Sequence, residues 1–272
     1  MVDIRTEAKE ERLVELLKGY SSVIVAFSGG VDSSYLAFMA HRALGRKARA
    51  VTALSPAVSQ MQREMAQEFA RRHGLRHRFI DTAEMDLEGY TSNPANRCYF
   101  CKTELYGRLE RLRLEWGVEA VLDGANLDDA SDYRPGRQAA REKKVSSPLL
   151  ECSISKDEIR SLSRKWGLKS WDKPAMPCLS SRFPYGVSIT EAKLAQVEQA
   201  EAFLRGMGLS NFRVRHHEEL ARLEVDRREL PLLLDAGVMQ RVHRHLRQLG
   251  YLYVTLDMKG FRSGSLNEAL KS

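Results

Sequence analysis

The residues with the clearest chemical potential form one string, Ser28-Gly29-Gly30-Val31-Asp32-Ser33-Ser34. It follows directly on the apolar, β-branched run Ser22 to Phe27 and precedes a stretch with helical spacing. Two adjacent glycines let a backbone approach an oxyanion closely and turn amide N–H groups toward it. The helix that follows adds its positive N-terminal end. Ser28, Ser33 and Ser34 add hydroxyl donors, so the string reads as a pyrophosphate cradle. Asp32 would repel a bare phosphate and is expected to hold Mg²⁺ instead. The spacing fits neither Gly-x-x-x-x-Gly-Lys-Ser/Thr nor Gly-x-Gly-x-x-Gly, which disfavours the P-loop and dinucleotide readings.

The second set is the cysteines: Cys98, Cys101, Cys152 and Cys178. The Cys98-Tyr-Phe-Cys101 spacing can face one metal or cluster, with Cys178 closing the site. Three readings stay open on the residues alone. Three thiolates can hold a 4Fe–4S cluster, leaving one iron without a protein ligand. They can hold zinc with a further ligand. Or they are unconnected thiols packed as small hydrophobes. Cys152 has no partner motif and reads as structural.

These residues need a scaffold. Leu13, Val14, Leu16 and Leu17 stripe an amphipathic N-terminal helix. Strands are expected at Ser22 to Phe27, Ala48 to Leu54, Arg78 to Asp81 and Ala120 to Asp123. Helices are expected over Tyr35 to Leu44, Met61 to His73 and Thr103 to Trp116, and another opens at the Ser155-x-x-Glu158 capping box and ends at Gly167. Strands alternating with helices imply an α/β, Rossmann-like parallel sheet covered on both faces, with ligand at the carboxyl ends of the strands. Trp171 to Gly186 is rich in proline and small residues and reads as a linker, with Trp171 packing it. Beyond it come a helix from Thr190 to Met207, strands at Phe212 to His216 and Ala221 to Val225, a helix over Val238 to Leu249 and a strand at Tyr251 to Leu256. That pattern is a second, smaller α+β domain. The expected division is 1–170, a linker 171–186 carrying Cys178, and 187–272, with Gly260 to Ser272 a frayed tail. Arg213 and Arg215 alternate on a strand and so share a face, where two guanidiniums suit a phosphate. His216 and His217 read as a solvated strand end.

At 272 residues, 43% apolar and 29% charged, the chain has the balance of a globular protein. No apolar run approaches the roughly 20 residues needed to span a bilayer. Met1 to Tyr20 has no apolar core of a secretory signal, so a cytoplasmic protein is expected. The net charge of +7 suits an anionic partner.

The glycine string resembles the PP-loop of the ATP pyrophosphatases, which cleave ATP between the α- and β-phosphates and adenylate a substrate. That resemblance implies that Ser28, Gly29, Gly30, Asp32, Ser33 and Ser34 bind the departing pyrophosphate with Mg²⁺. Asp123-Gly124-Ala125-Asn126, with Asp128-Asp129, is similar to the superfamily's second nucleotide-edge motif, which adds Gly124 and Asn126 to the ATP site; a turn favouring Asn and Asp is its plainer reading. Longer motifs narrow the likeness: Asn96 to Leu105 around the cysteine pair, Asp123 to Asp129, Asp132-Tyr133-Arg134-Pro135-Gly136, Trp171 to Gly186 around Cys178, and Phe212 to His217. Together they resemble the LarE family over nearly the whole chain. These are ATP-dependent sulfur transferases that build the nickel-pincer nucleotide cofactor of lactate racemase.

The family likeness implies a pyridinium biscarboxylic acid mononucleotide as substrate. Each carboxylate is adenylated, and sulfur then displaces AMP to leave a thiocarboxylate. Members with only the cysteine matching Cys178 sacrifice its sulfur; those with three cysteines are thought to use a 4Fe–4S cluster carrying an extra sulfide. This chain has all three, so the cluster at Cys98, Cys101 and Cys178 is expected, with zinc the alternative, and a sulfide donor as partner. Glu201, Arg213 and Arg215 are implied catalytic neighbours of Cys178, with Arg182 and Ser180 beside it. A homo-oligomer is expected. Rival readings are a tRNA thiolase, an amide-forming PP-loop ligase with structural zinc, and a nucleotide sensor. No appended RNA-binding module or concentrated basic patch supports a nucleic-acid partner.

Overall fold

The computed structural model describes residues 2–130, 135–174, 176–262 and 264–270. Of the quoted motifs, Asp132, Tyr133, Arg134 and Ala175 lie outside the described residues. The chain divides into two units: Met1–Glu84 with Asn96–Met176, and Met85–Ala95 with Pro177–Ser272.

The first unit is built on a four-stranded parallel sheet of order β3-β2-β1-β4, formed by β1 (Val23–Ala26), β2 (Ala48–Leu54), β3 (Arg76–Asp81) and β4 (Ala120–Leu122). Around it run α1 (Ile4–Lys18), α2 (Val31–Leu44) and α3 (Gln60–Arg72). After the short α4 (Glu88–Thr91) of the second unit come α5 (Arg97–Glu115), α6 (Gly136–Glu142), α7 (Pro148–Glu151) and α8 (Lys156–Lys165). The expected stripe works as read: Leu13 and Leu17 are fully buried in a core shared with Val23, Val25, Tyr35, Leu36 and Ile159. A second cluster joins Ile24, Val51, Tyr106, Leu109 and Val121. This is the Rossmann-like α/β architecture. The chain winds from β1 outward to β3 and then returns to β4 on the other side of β1. The order therefore reverses between β1 and β4, and ligand sites of open parallel sheets form at such a point.

Two helices begin earlier than their apolar spacing suggests. α2 starts at Val31, so Val31, Asp32, Ser33 and Ser34 form its first turn. α5 starts at Arg97, so Cys98 and Cys101 lie within its first two turns. Polar and sulfur-bearing residues at a helix start carry no apolar period, which is why the spacing hid them.

The second unit holds a three-stranded sheet of order β5-β6-β7. β5 (Phe212–His217) pairs antiparallel with β6 (Leu220–Val225), and β6 pairs parallel with β7 (Tyr253–Leu256). α9 (Glu191–Gly206), α10 (Leu230–Leu233) and α11 (Ala236–Gln248) complete a core of Ala200, Leu204, Phe212, Val214, Val242 and Leu246. The proline-rich stretch contains a 3-10 turn, Leu179–Arg182, and Phe183 behind it is fully buried. Asn93 is buried and fastens this stretch, donating to Pro184 O at 2.7 Å and Val187 O at 2.9 Å.

Two expectations are corrected. His216 is not a solvated strand end: it is buried, its ring 4.9 Å from that of Phe183 and its Nδ1 3.1 Å from the Tyr251 hydroxyl. Burial pushes its pKa down. The tail beyond Gly260 is not frayed throughout: Ser265 is buried and donates to Glu224 at 3.0 Å. Both corrections come from tertiary cover, which overrides the polar character of the local sequence.

Candidate ATP and sulfur-transfer residues

The glycine loop is held by its own side chains. The Ser28 and Ser33 hydroxyls lie 3.0 Å apart, and Ser33 Oγ also donates to Gly30 O at 3.3 Å. Gly29 adopts φ +74, and an added Cβ would meet Ala66 of α3 at 3.1 Å, so both the twist and the close approach require glycine. Gly30 is the N-cap of α2 and brings no side chain to cap it. The first-turn N–H groups of α2 are thus left for an external acceptor. Ser34 differs from its neighbours in being fully buried, with Oγ lacking a partner.

Gly124 explains how the second motif meets the first. A Cβ there would stand 3.0 Å from Ser33 N and 3.3 Å from Asp32 C. Its φ is not positive, so glycine serves close approach here and not turn geometry. Asp123 receives Tyr106 Oη at 2.8 Å and Ser147 Oγ at 2.7 Å. Asn126 is buried; its N–H donates to Asp129 Oδ2 at 3.0 Å, and its side-chain oxygen accepts from Asp128 N at 3.0 Å. The edge at β4 is thus held by its own hydrogen bonds and lies close against the first turn of α2.

Asp32 leaves Oδ1 buried without a partner, while Oδ2 lies 3.4 Å from Lys156 Nζ. Burial pushes its pKa up, Lys156 opposes the rise, and the nearby charge of Asp129 adds to it. A half-satisfied carboxylate close to a second carboxylate has the donor chemistry of a Mg²⁺ ligand. Sequence reasoning missed Lys156, Tyr106 and Ser147. Only Lys156 carried a signal, because the Ser155 capping box marks it as the first residue of a helix.

Cys98 is exposed and Cys101 half-buried; three apart on α5, they lie on one helical face. Cys178 is half-buried and belongs to the second unit. Among the described residues, neither unit by itself arranges three His, Cys, Asp or Glu side chains as a metal site. Cys152 lies in the core of the first unit, where burial pushes its thiol pKa up.

Around Cys178, Arg182 is the organising residue. It donates to Cys178 O at 3.2 Å and Pro177 O at 3.0 Å, and grips Glu201 through two bonds of 2.8 Å. Both side chains of that pair are nearly inaccessible, at 6% and 7% exposure. Burial alone would raise the Glu201 pKa, but Arg182 and the Val214 N–H hold it below the usual carboxylate range. Arg215 donates to Ser181 O at 2.5 Å and Glu224 at 2.8 Å. Its Nε is buried and unpartnered. Arg213 donates to Phe212 O at 2.7 Å, and burial, followed by the charge of Arg182, pushes its pKa down to about 10. Ser180 Oγ meets Tyr90 Oη at 2.5 Å. The second unit therefore brings Glu201, Arg182, Arg213, Arg215 and the backbone of Cys178 into one network.

A family model described as asparagine synthase matches residues 14–97, the segment containing the glycine loop. The pyridinium-3,5-bisthiocarboxylic acid mononucleotide synthase of Lactiplantibacillus plantarum is 38% identical over 263 residues, covering 96% of this chain and 95% of that protein. The chain belongs to the LarE family. An uncharacterized protein of Synechocystis is 45% identical over 264 residues, covering 97% and 98%. A polypeptide of the glutamine-hydrolyzing GMP synthase of Thermococcus kodakarensis is 27% identical over 217 residues, covering 72% and 68%. Membership of the LarE family makes the chain an enzyme, an ATP-dependent sulfur transferase with a PP-loop fold.

Proposed function

We propose that this chain adenylates the carboxylates of a pyridinium biscarboxylic acid mononucleotide and converts them to thiocarboxylates. The observation that carries the reading is the likeness to the bisthiocarboxylic acid mononucleotide synthase along 95% of that protein's length. In the adenylation step a substrate carboxylate oxygen attacks the α-phosphorus of ATP. The α–β bridging bond breaks and pyrophosphate leaves. Ser28, Gly29, Gly30, Ser33 and the N-terminus of α2 hold the leaving group, with Ser34 supporting the turn from within. Asp32 holds Mg²⁺, and Gly124 and Asn126 shape the nucleotide side.

In the second step a sulfur nucleophile adds to the acyl carbon and AMP departs with the bonding electrons. Adenylation is what makes that exchange feasible, because AMP leaves far more readily than oxide. Arg213 and Arg215 bind the substrate phosphate, and Arg182 with Glu201 keeps the Cys178 backbone in place. We assign Cys98, Cys101 and Cys178 to a 4Fe–4S cluster. What supports the reading is the chemistry of the donors, two thiols three positions apart near the start of α5 and a third cysteine whose carbonyl accepts from Arg182. When bound, such a cluster supplies a sulfide that stays nucleophilic at neutral pH.

The test is anaerobic purification with iron, sulfide and zinc measured per chain, alongside ATP-dependent pyrophosphate release with the dicarboxylate. Near-equal iron and sulfide, lost in Cys98→Ser with pyrophosphate release retained, supports the full reading. Zinc without iron points to an amide-forming ligase, and no metal to Cys178 as a sacrificial donor. Pyrophosphate release that ignores the dicarboxylate removes the substrate assignment.

A further inference from the structure

The stretch that follows β7 has no part in the chemistry above, yet it is fastened to β6 at several points. Asp257 is its anchor. It accepts from Lys259 N at 2.8 Å and Gly260 N at 3.2 Å, and Arg222 of β6 pairs with it. Gly260 adopts φ +74, and an added Cβ would meet Val225 O at 2.7 Å, so the chain can lie this close to the end of β6 only with glycine there. Phe261 N–H donates to the same carbonyl at 3.0 Å. Arg262 then ties Gly260 O, at 3.1 Å, to Glu268, at 2.9 Å.

Two side chains of this stretch reach the arginines of β5. The Phe261 ring centre lies 5.0 Å from the Arg213 guanidinium carbon, within cation–π range. The buried Ser265 hydroxyl accepts from Arg215 Nη2 at 2.7 Å and donates to Glu224 at 3.0 Å. Nη2 also donates to Glu224 Oε2 at 2.8 Å, so both of its hydrogens are used. Nη1 donates to Ser181 O. The guanidinium is thereby fixed in rotation, and its Nε is left as a buried donor with no partner among the described residues. The whole Arg215 side chain is 7% exposed. A charged donor held in this way costs free energy until a ligand accepts from it, and an oxyanion is the acceptor that suits it.

We infer that the stretch 260–268 completes the substrate-phosphate site, with Ser265 and Phe261 as positioning residues for Arg215 and Arg213. This rests on the proposal above that those arginines bind the phosphate. Ser265 sets the rotation of the Arg215 fork, and Phe261 holds the Arg213 guanidinium over its ring. The effect falls on affinity for the phosphate and not on the reaction at the carboxylates.

Calorimetric titration of the full chain with the pyridinium biscarboxylic acid mononucleotide, and separately with the same nucleoside lacking its phosphate, tests it. Ser265→Ala should weaken mononucleotide binding about tenfold, the value of one hydrogen bond to a charged group, and leave nucleoside binding unchanged. Ser265→Thr keeps the hydroxyl and should recover most of the loss. Phe261→Leu keeps an apolar contact without the ring face and should weaken mononucleotide binding about threefold. Mononucleotide affinity that is equal in the wild type, Ser265→Ala and Phe261→Leu overturns the inference. So does an equal loss for both probes, which would make the stretch merely structural. A wild-type chain with no preference for the mononucleotide over the nucleoside sinks the assignment of Arg213 and Arg215 to a phosphate, and this inference with it.

Discussion

Asp32 stands under opposing demands. Its carboxylate is partly desolvated and Lys156 only partly compensates, so its pKa lies above the ordinary aspartate range. A folded-state value above the unfolded one means that ionisation costs stability. The cost is absent below the ordinary aspartate range and grows as pH rises through the folded value. Asp32→Asn should therefore melt higher than the wild type at neutral pH, with the gap closing in acid, and should lose pyrophosphate release. A melting gap that does not change with pH would remove the desolvation argument. Arg182 and Glu201 lie at the other extreme, a buried pair already satisfied. Arg182→Ala strands a buried carboxylate and should cost about 3–5 kcal/mol in urea unfolding. Arg182→Met with Glu201→Leu should recover much of that while still impairing sulfur transfer. Lys156 and Arg182 were the hardest residues to assign from sequence, because each acts on partners more than a hundred, or about twenty, positions away.

At the scale of elements, the strands and most helices were legible because apolar periodicity and terminal glycines mark them; Gly45 and Gly74 adopt positive φ just beyond α2 and α3. The glycine string was legible because few roles need two adjacent glycines between a strand and a helix. Gly124 was not, since its reason lies in the backbone of Ser33, across the β1–β4 divide. Gly124→Ala pushes a methyl group against that backbone, and overpacking of this kind costs ~1–3 kcal/mol. The strain falls on the first turn of α2. ATP affinity should drop about tenfold for a ~1.4 kcal/mol loss, with the circular dichroism spectrum unchanged. Unchanged ATP affinity would mean that the two loops can separate without harm. The register of β5 and β6 was likewise invisible beforehand. It sets Arg213 opposite Glu224 and Arg215 opposite Arg222, so Arg215 finds Glu224 on the diagonal.

For the whole molecule, the net charge of +7 should aid capture of phosphorylated ligands. Raising ionic strength should lower kcat/KM for ATP and for the mononucleotide while leaving kcat nearly unchanged, since screening weakens encounter more than buried contacts. A salt-independent kcat/KM would show that the surface charge takes no part. The two-core organisation was legible from the change of pattern beyond Gly186, but the membership of Met85–Ala95 was not. That segment joins the second unit through Asn93, whose partners are 91 and 94 residues away. The chain consequently passes between the units three times, after Glu84, after Ala95 and after Met176. Such a chain is not two modules end to end. A gene fusion that appended only Pro177–Ser272 to another nucleotide-binding domain would leave Pro184 and Val187 without the amide that fastens them. Exchanging one unit while keeping the other would therefore require transplanting the short inner segment Met85–Ala95 as well.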